Sequence, residues 1–99
     1  MSTVRKLNES ALRGIYDAYM HEAFPPAELK PLAVMLRLME RGRYLCYGYY
    51  RNGRLAAYAF FYRHDSRVLL LDYFAVTPEL RGRGVGSAFL AALDAVLGG

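Results

Sequence analysis

The chain has 99 residues, 55% of them apolar, 14% aromatic and 22% charged, with a net charge of +4 and a pI near 9.4. That length suits one small domain with a single core, and so apolar a composition excludes a disordered or low-complexity class. The positive charge points to an anionic partner; the basic residues form no tract, so a phosphate-bearing small molecule fits better than nucleic acid.

No window approaches the roughly 18 uninterrupted apolar residues of a membrane span, and residues 1–7 have no apolar stretch of signal-peptide type, so a cytoplasmic protein without a membrane partner is expected. Cys46 stands alone. It has no partner for a disulfide or a metal site, which fits a reducing compartment and a role as core filler.

In chain order, Val4 and Leu7 among polar neighbours predict a short first strand over residues 1–7. Asn8 and Ser10 are candidate helix caps, and Leu12, Ile15, Tyr16, Tyr19 and Met20 recur at helical spacing up to Phe24. Pro25 and Pro26 end that helix. A second helix is expected from Ala27 to Arg41, with Pro31 in its first turn, Leu32, Met35, Leu36 and Met39 on one face, and Gly42 as its C-cap.

Aromatic, short-period runs follow over residues 44–50 and 55–62, joined by Arg51-Asn52-Gly53-Arg54. Asn-Gly between two such runs is a strong hairpin signal, because both turn residues must adopt positive φ. Most of the nine tyrosines fall in this hairpin and read as core and cross-strand packing, with one or two available to line a pocket. Residues 63–67, with His64 and Asp65, are expected as a surface turn. Residues 68–76 are almost continuously apolar and suit a central strand buried on both faces. Thr77-Pro78-Glu79-Leu80 breaks it, and Val85, Ala88, Phe89, Ala92, Leu93 and Val96 predict a third helix ending at Gly98-Gly99.

Between the last strand and the last helix lies Arg81-Gly82-Arg83-Gly84-Val85-Gly86-Ser87. Glycines permit positive φ and close approach to a ligand, so successive N–H groups converge on one anion. The first helical turn adds unpaired donors and the positive end of the helix dipole. Arg81 and Arg83 add charge at the rim, and the Ser87 hydroxyl either donates to a phosphate oxygen or caps the helix. The bland alternative is a tight strand-to-helix connection. A nucleotide-binding P-loop would need Gly-Lys-Ser/Thr, and a dinucleotide fingerprint would need glycine where Ser87 stands; both are rejected.

The stretch from Arg81 to Gly86 matches the Gln/Arg-x-x-Gly-x-Gly/Ala motif, and with the preceding Leu71-Asp72-Tyr73-Phe74-Ala75-Val76-Thr77-Pro78 it resembles the GNAT N-acetyltransferases. The resemblance is strong over residues 68–97, and the order of elements extends it to the whole chain. It implies an α+β, sandwich-like acyltransferase fold in the order strand, two helices, three strands, helix. It also implies transfer of an acetyl group from acetyl-CoA to a primary amine. The pantetheine arm is then expected along the backbone of Phe74, Ala75 and Val76 on a bulged fourth strand, and the pyrophosphate on the N–H groups of Arg81, Gly82, Arg83, Gly84, Val85, Gly86 and Ser87. An N–H near Phe74 or Ala75 would polarise the thioester carbonyl.

Asp72 is the one acid in an apolar strand, so it either faces the substrate or is paired within the fold. As acidic residues near this position serve some members of the family as anchor or base, it is the candidate catalytic residue. Alternation along the strand would put Tyr73 on the opposite face, as packing. His21 and Glu22 fall where the family's acceptor loop begins, and read as solvated helix-end residues.

Family members continue past the motif helix into a fifth strand, so residues 1–99 are expected to form a single, incomplete acetyltransferase domain with an unpaired fourth strand. Such a chain is expected to be a poor catalyst alone and to associate as a homodimer. The acceptor is a small-molecule or peptide amine. The competing readings are a noncatalytic CoA-binding remnant and a basic module that binds nucleic acid or protein.

Overall fold

The computed structural model describes residues 1–98. Strand β1 (Ser2–Lys6) leads into a helical segment, α1, which is α-helical over Glu9–Ile15, π-helical over Tyr16–Met20 and closed by the turn His21–Ala23. Of the two candidate caps the structure uses Asn8, whose side chain accepts the Ala11 N–H at 2.9 Å. Leu12, Ile15, Tyr16 and Met20 are buried, as their spacing predicts, although the middle turn takes wider i→i+5 winding.

The second helix, α2, runs over Leu32–Glu40 and starts later than expected. Pro31 has φ −59° and ψ 142°, outside the helix, while its carbonyl accepts the Val34 and Met35 N–H groups. Proline disfavours helical geometry in the residue before it, so the helix cannot run through Lys30. Residues 25–29 instead make turns, with the Glu28 N–H donating to the Pro25 carbonyl. At the other end Gly42 has φ +74°, the Gly42 N–H donates to Met39 and the Arg43 N–H to Leu38, which is the Schellman arrangement.

Strands β2 (Tyr44–Arg51) and β3 (Arg54–Arg63) form the expected hairpin, with Asn52 and Gly53 at φ 52° and 81°. β4 (Leu69–Val76) pairs with β3, giving an antiparallel sheet in the order β1-β2-β3-β4. α1 and α2 cover one face, where Leu12, Met20, Met35, Tyr44, Cys46 and Phe60 form one core. Helix α3 (Val85–Val96) covers the other with Val85, Phe89 and Leu93. Phe89 lies between the rings of Tyr49 and Phe74, at centroid distances of 5.1 and 5.5 Å. Its full burial is worth roughly 1.5–3 kcal/mol and holds the start of α3 against the end of β4.

β4 departs from the expectation of a central strand buried on both faces. It is an edge strand among the described residues, and Leu70 and Leu71 are 50% and 54% exposed. Its apolar run has β3 on one side only. Gly98 has φ +84° after α3, and Gly99 lies outside the described residues.

Candidate active site

β4 ends where the Thr77 N–H donates to the Ala56 carbonyl at 2.9 Å, and a single 3-10 turn, Pro78–Leu80, turns the chain toward α3. Gly82 and Gly84 have φ +77° and +75°, and Gly84 is the residue from which α3 starts. A Cβ at either would meet no atom within 4 Å, so the constraint there is backbone conformation, and the space beside them is open. Gly86 differs. It lies within α3 with ordinary φ, and a Cβ there would meet Val76 Cγ2 at 3.6 Å and Phe74 Cε1 at 3.7 Å, so its smallness serves helix-to-strand packing.

The first helical bond of α3 runs from the Ala88 N–H to the Gly84 carbonyl at 3.1 Å. Before it, the N–H groups of residues 82–87 meet no well-formed acceptor among the described residues. Val85 is buried and fixes the turn to the core, while Gly84, Arg83 and Ser87 are exposed. Ser87 does not cap the helix; that alternative fails because Gly84 occupies the cap and the serine stands in the first turn. Arg81 bends back, its Nε donating to the Val76 carbonyl at 3.3 Å, and so ties the turn to the strand. Phe74 and Val76 point their side chains toward α3, Ala75 toward α1, and the backbone of all three borders the open edge of β4.

At Asp72 the strand is irregular. Tyr73 pairs with Phe60 and Leu71 with Phe61, which leaves Asp72 as the extra residue of a β-bulge. The bulge cancels the alternation expected between Asp72 and Tyr73, and both turn toward the loop between α1 and α2. Asp72 Oδ2 accepts from the Tyr44 hydroxyl at 2.5 Å and from Lys30 Nζ at 3.0 Å. The Tyr73 hydroxyl donates to the Glu28 carbonyl and accepts the Lys30 N–H, each at 2.7 Å. Tyr16 donates to the Lys30 carbonyl at 2.9 Å. Lys30 is thus held at its N–H, its carbonyl and its ammonium.

Burial, then the hydrogen bond to Asp72 and its charge, pushes the Tyr44 phenol well above its ordinary value. Burial, then the Asp72 charge, pushes the Cys46 thiol up to about 12, so it stays protonated and is core filler rather than a nucleophile. Tyr58 is also pushed up to about 12 by burial, against the pull of Arg81, and its hydroxyl and that of Thr77 are buried without a partner among the described residues.

His21 and Glu22 are exposed, and His21 packs edge-on against Tyr16. The His64 N–H closes the surface turn onto the Val68 carbonyl, and Asp65 accepts the N–H groups of Arg67 and Val68. A pocket of about 520 Å³ between the end of β1 and α2 includes neither Asp72 nor the glycine turn. Among the described residues no helix is long and apolar enough to cross a membrane. Sequence reasoning missed Lys30 and Tyr44. The sequence reading places Lys30 inside the second helix, and nothing in the spacing joined it to an aspartate 42 residues away.

Comparison with known proteins bears on this arrangement. The solved ribosomal-protein-S18-alanine N-acetyltransferase from Escherichia coli is 26% identical, with a TM-score of 0.72, over 98% of this chain and 59% of that one. A GNAT-family protein described as a putative acetyltransferase, from Bacteroides thetaiotaomicron, superposes with a TM-score of 0.80 at 18% identity, over 95% and 55%. A predicted acetyltransferase from Clostridium acetobutylicum, solved with acetyl-CoA, has a TM-score of 0.68 at 13% identity, over 95% and 71%. The chain spans somewhat more than half the length of the first two. No curated protein matches it significantly. The profile of the acetyltransferase (GNAT) family matches residues 10–98, and the chain belongs to that family.

Proposed function

We propose that the chain is an acetyl-CoA-dependent N-acetyltransferase domain, spanning residues 1–99, that modifies the primary amine of a small molecule or peptide in the cytoplasm. The observation that carries this reading is the run of N–H groups over residues 82–87 that make no well-formed backbone hydrogen bond among the described residues, set at the start of α3 and beside the open edge of β4. Successive N–H groups at a helix start suit a pyrophosphate. The backbone of Phe74, Ala75 and Val76 would receive the pantetheine arm, and an N–H near Phe74 or Ala75 would polarise the thioester carbonyl.

Asp72 is the acid beside that strip. Its Oδ2 is taken by Tyr44 and Lys30, whereas Oδ1 has no donor among the described residues, so the carboxylate retains room for an acceptor ammonium and for its proton. Arg83 and Ser87 face solvent at the turn and supply charge and a hydroxyl to the phosphates. The unpaired β4 edge supports a homodimer. Titration calorimetry of the chain with CoA tests the reading: binding that Gly84→Val abolishes is expected, and no binding to the unaltered chain would reject it.

A further inference from the structure

Of the 13 lysines and arginines, only Lys6 and Lys30 are lysines. Lys6 is exposed and makes no ion pair among the described residues, whereas Lys30 has the three-point attachment described above. The prolines at 25, 26 and 31 restrict the loop further. Its Nζ lies on Asp72, two residues before Phe74, which is roughly 6–7 Å along an extended strand and within the swing of a lysine side chain. The side chain is 31% exposed, so a reactant can reach it.

We propose that Lys30 is an internal acetyl acceptor, modified at Nζ by acetyl-CoA bound on the chain's own turn; this rests on the acetyl-CoA reading above. A structural ion pair needs only charge, but this loop also fixes both backbone groups of the lysine and delivers its amine to the one carboxylate beside the expected thioester. In the reaction Asp72 takes a proton from the Lys30 ammonium and the freed lone pair attacks the thioester carbon. The C–N bond forms and the C–S bond breaks as the leaving thiolate takes the second proton from the attacking nitrogen; Asp72 then gives the first proton to solvent, so the products are Nε-acetyl-Lys30, the CoA thiol and one released proton. The acetylated side chain carries no charge and no longer neutralises Asp72. The modification therefore releases that carboxylate to an external ammonium, and the structure as described is the form before release.

The test is incubation of the 99-residue chain with acetyl-CoA, followed by peptide mass mapping at Lys30 and Lys6, with acetyl-CoA binding measured on the same sample by calorimetry. Acetylation of Lys30 at least ~10-fold faster than Lys6 is expected from positioning, with the preference lost in guanidinium-unfolded chain and in Asp72→Asn. Lys30→Arg keeps the ion pair and checks the map: Lys6 should be modified at its usual rate. Equal rates at the two lysines in chain that binds acetyl-CoA, or a preference that survives unfolding, overturns the proposal and leaves the acetyl-CoA reading intact. A chain that binds no acetyl-CoA overturns both.

Discussion

Asp72 and Tyr73 are consecutive in β4, yet both reach Lys30, the first through the lysine ammonium at 3.0 Å and the second through its backbone N–H at 2.7 Å. An unbroken strand would send them to opposite faces. The β-bulge turns both toward the loop between α1 and α2, and so joins the loop to the edge strand of the sheet.

That joint is expected to be measurable in Tyr73→Phe. The substitution leaves the Glu28 carbonyl and the Lys30 N–H without their partner, which should lower stability by about 1–3 kcal/mol. Urea denaturation gives the loss, and hydrogen exchange at the Lys30 amide should accelerate. Unchanged protection there would mean that the loop is held by other contacts.

The glycine turn separates two substitutions that look alike in sequence. Gly84 has positive φ, so Gly84→Val is strained whatever space surrounds it, and CoA binding should vanish. Gly86→Ala places its Cβ at ordinary contact distance from Phe74 and Val76, so affinity should fall far less. Calorimetry with CoA on both variants decides, and equal affinities for wild type and Gly84→Val would refute the assignment of the turn.

For Asp72, Asp72→Asn should lower acetyl transfer to an external amine more than it lowers thermal stability. Asparagine still accepts the Tyr44 hydrogen bond but takes no proton from an ammonium. Rates equal to wild type across pH would assign Asp72 a purely structural role.

Alkaline titration tests the buried acids. Cys46 rises from 9.0 to about 12 and Tyr58 from 10.0 to about 12, both chiefly by burial. A raised value means that the folded chain holds its proton longer than the unfolded one, so this stability is complete below pH 9 and is lost as pH rises from 9 to 12. Denaturant midpoints should fall across that window, and less steeply in Cys46→Ala and Tyr58→Phe. Because the Tyr58 hydroxyl has no partner among the described residues, Tyr58→Phe should cost little at neutral pH. A midpoint independent of pH up to 12 would contradict the burial argument.

The outer edge of β4 should make the chain self-associate. Val68, Leu70 and Leu71 are exposed beside backbone groups without a strand partner among the described residues. Analytical ultracentrifugation should show a dimer or larger species, and Leu71→Lys should shift it toward monomer with little change in melting temperature. A monomeric wild type at high concentration would rule out the edge as an interface.

Chemistry confined to a few neighbouring residues was legible without coordinates. Asn-Gly requires positive φ, two prolines end a helix, glycines before a periodic apolar run make a phosphate-type turn, and each of these acts over one or two turns of chain. The sequence by itself therefore determined the order of elements, the hairpin, the turn over residues 81–87 and the family resemblance that follows from them. The tertiary structure alone decided what depends on residues far apart. The bulge at Asp72 arises from register against β3, the exposure of Leu70 and Leu71 from which strands are present to cover them, and the meeting of Lys30, Tyr44 and Asp72 from the packing of a loop on a sheet. The start of α2 also belongs to the structure, since Pro31 is compatible with a first helical turn in sequence, and only the turns made by residues 25–29 showed that the helix begins at Leu32. Local conformation is written in backbone sterics, whereas side-chain partnership across 42 residues requires the fold to bring the groups together.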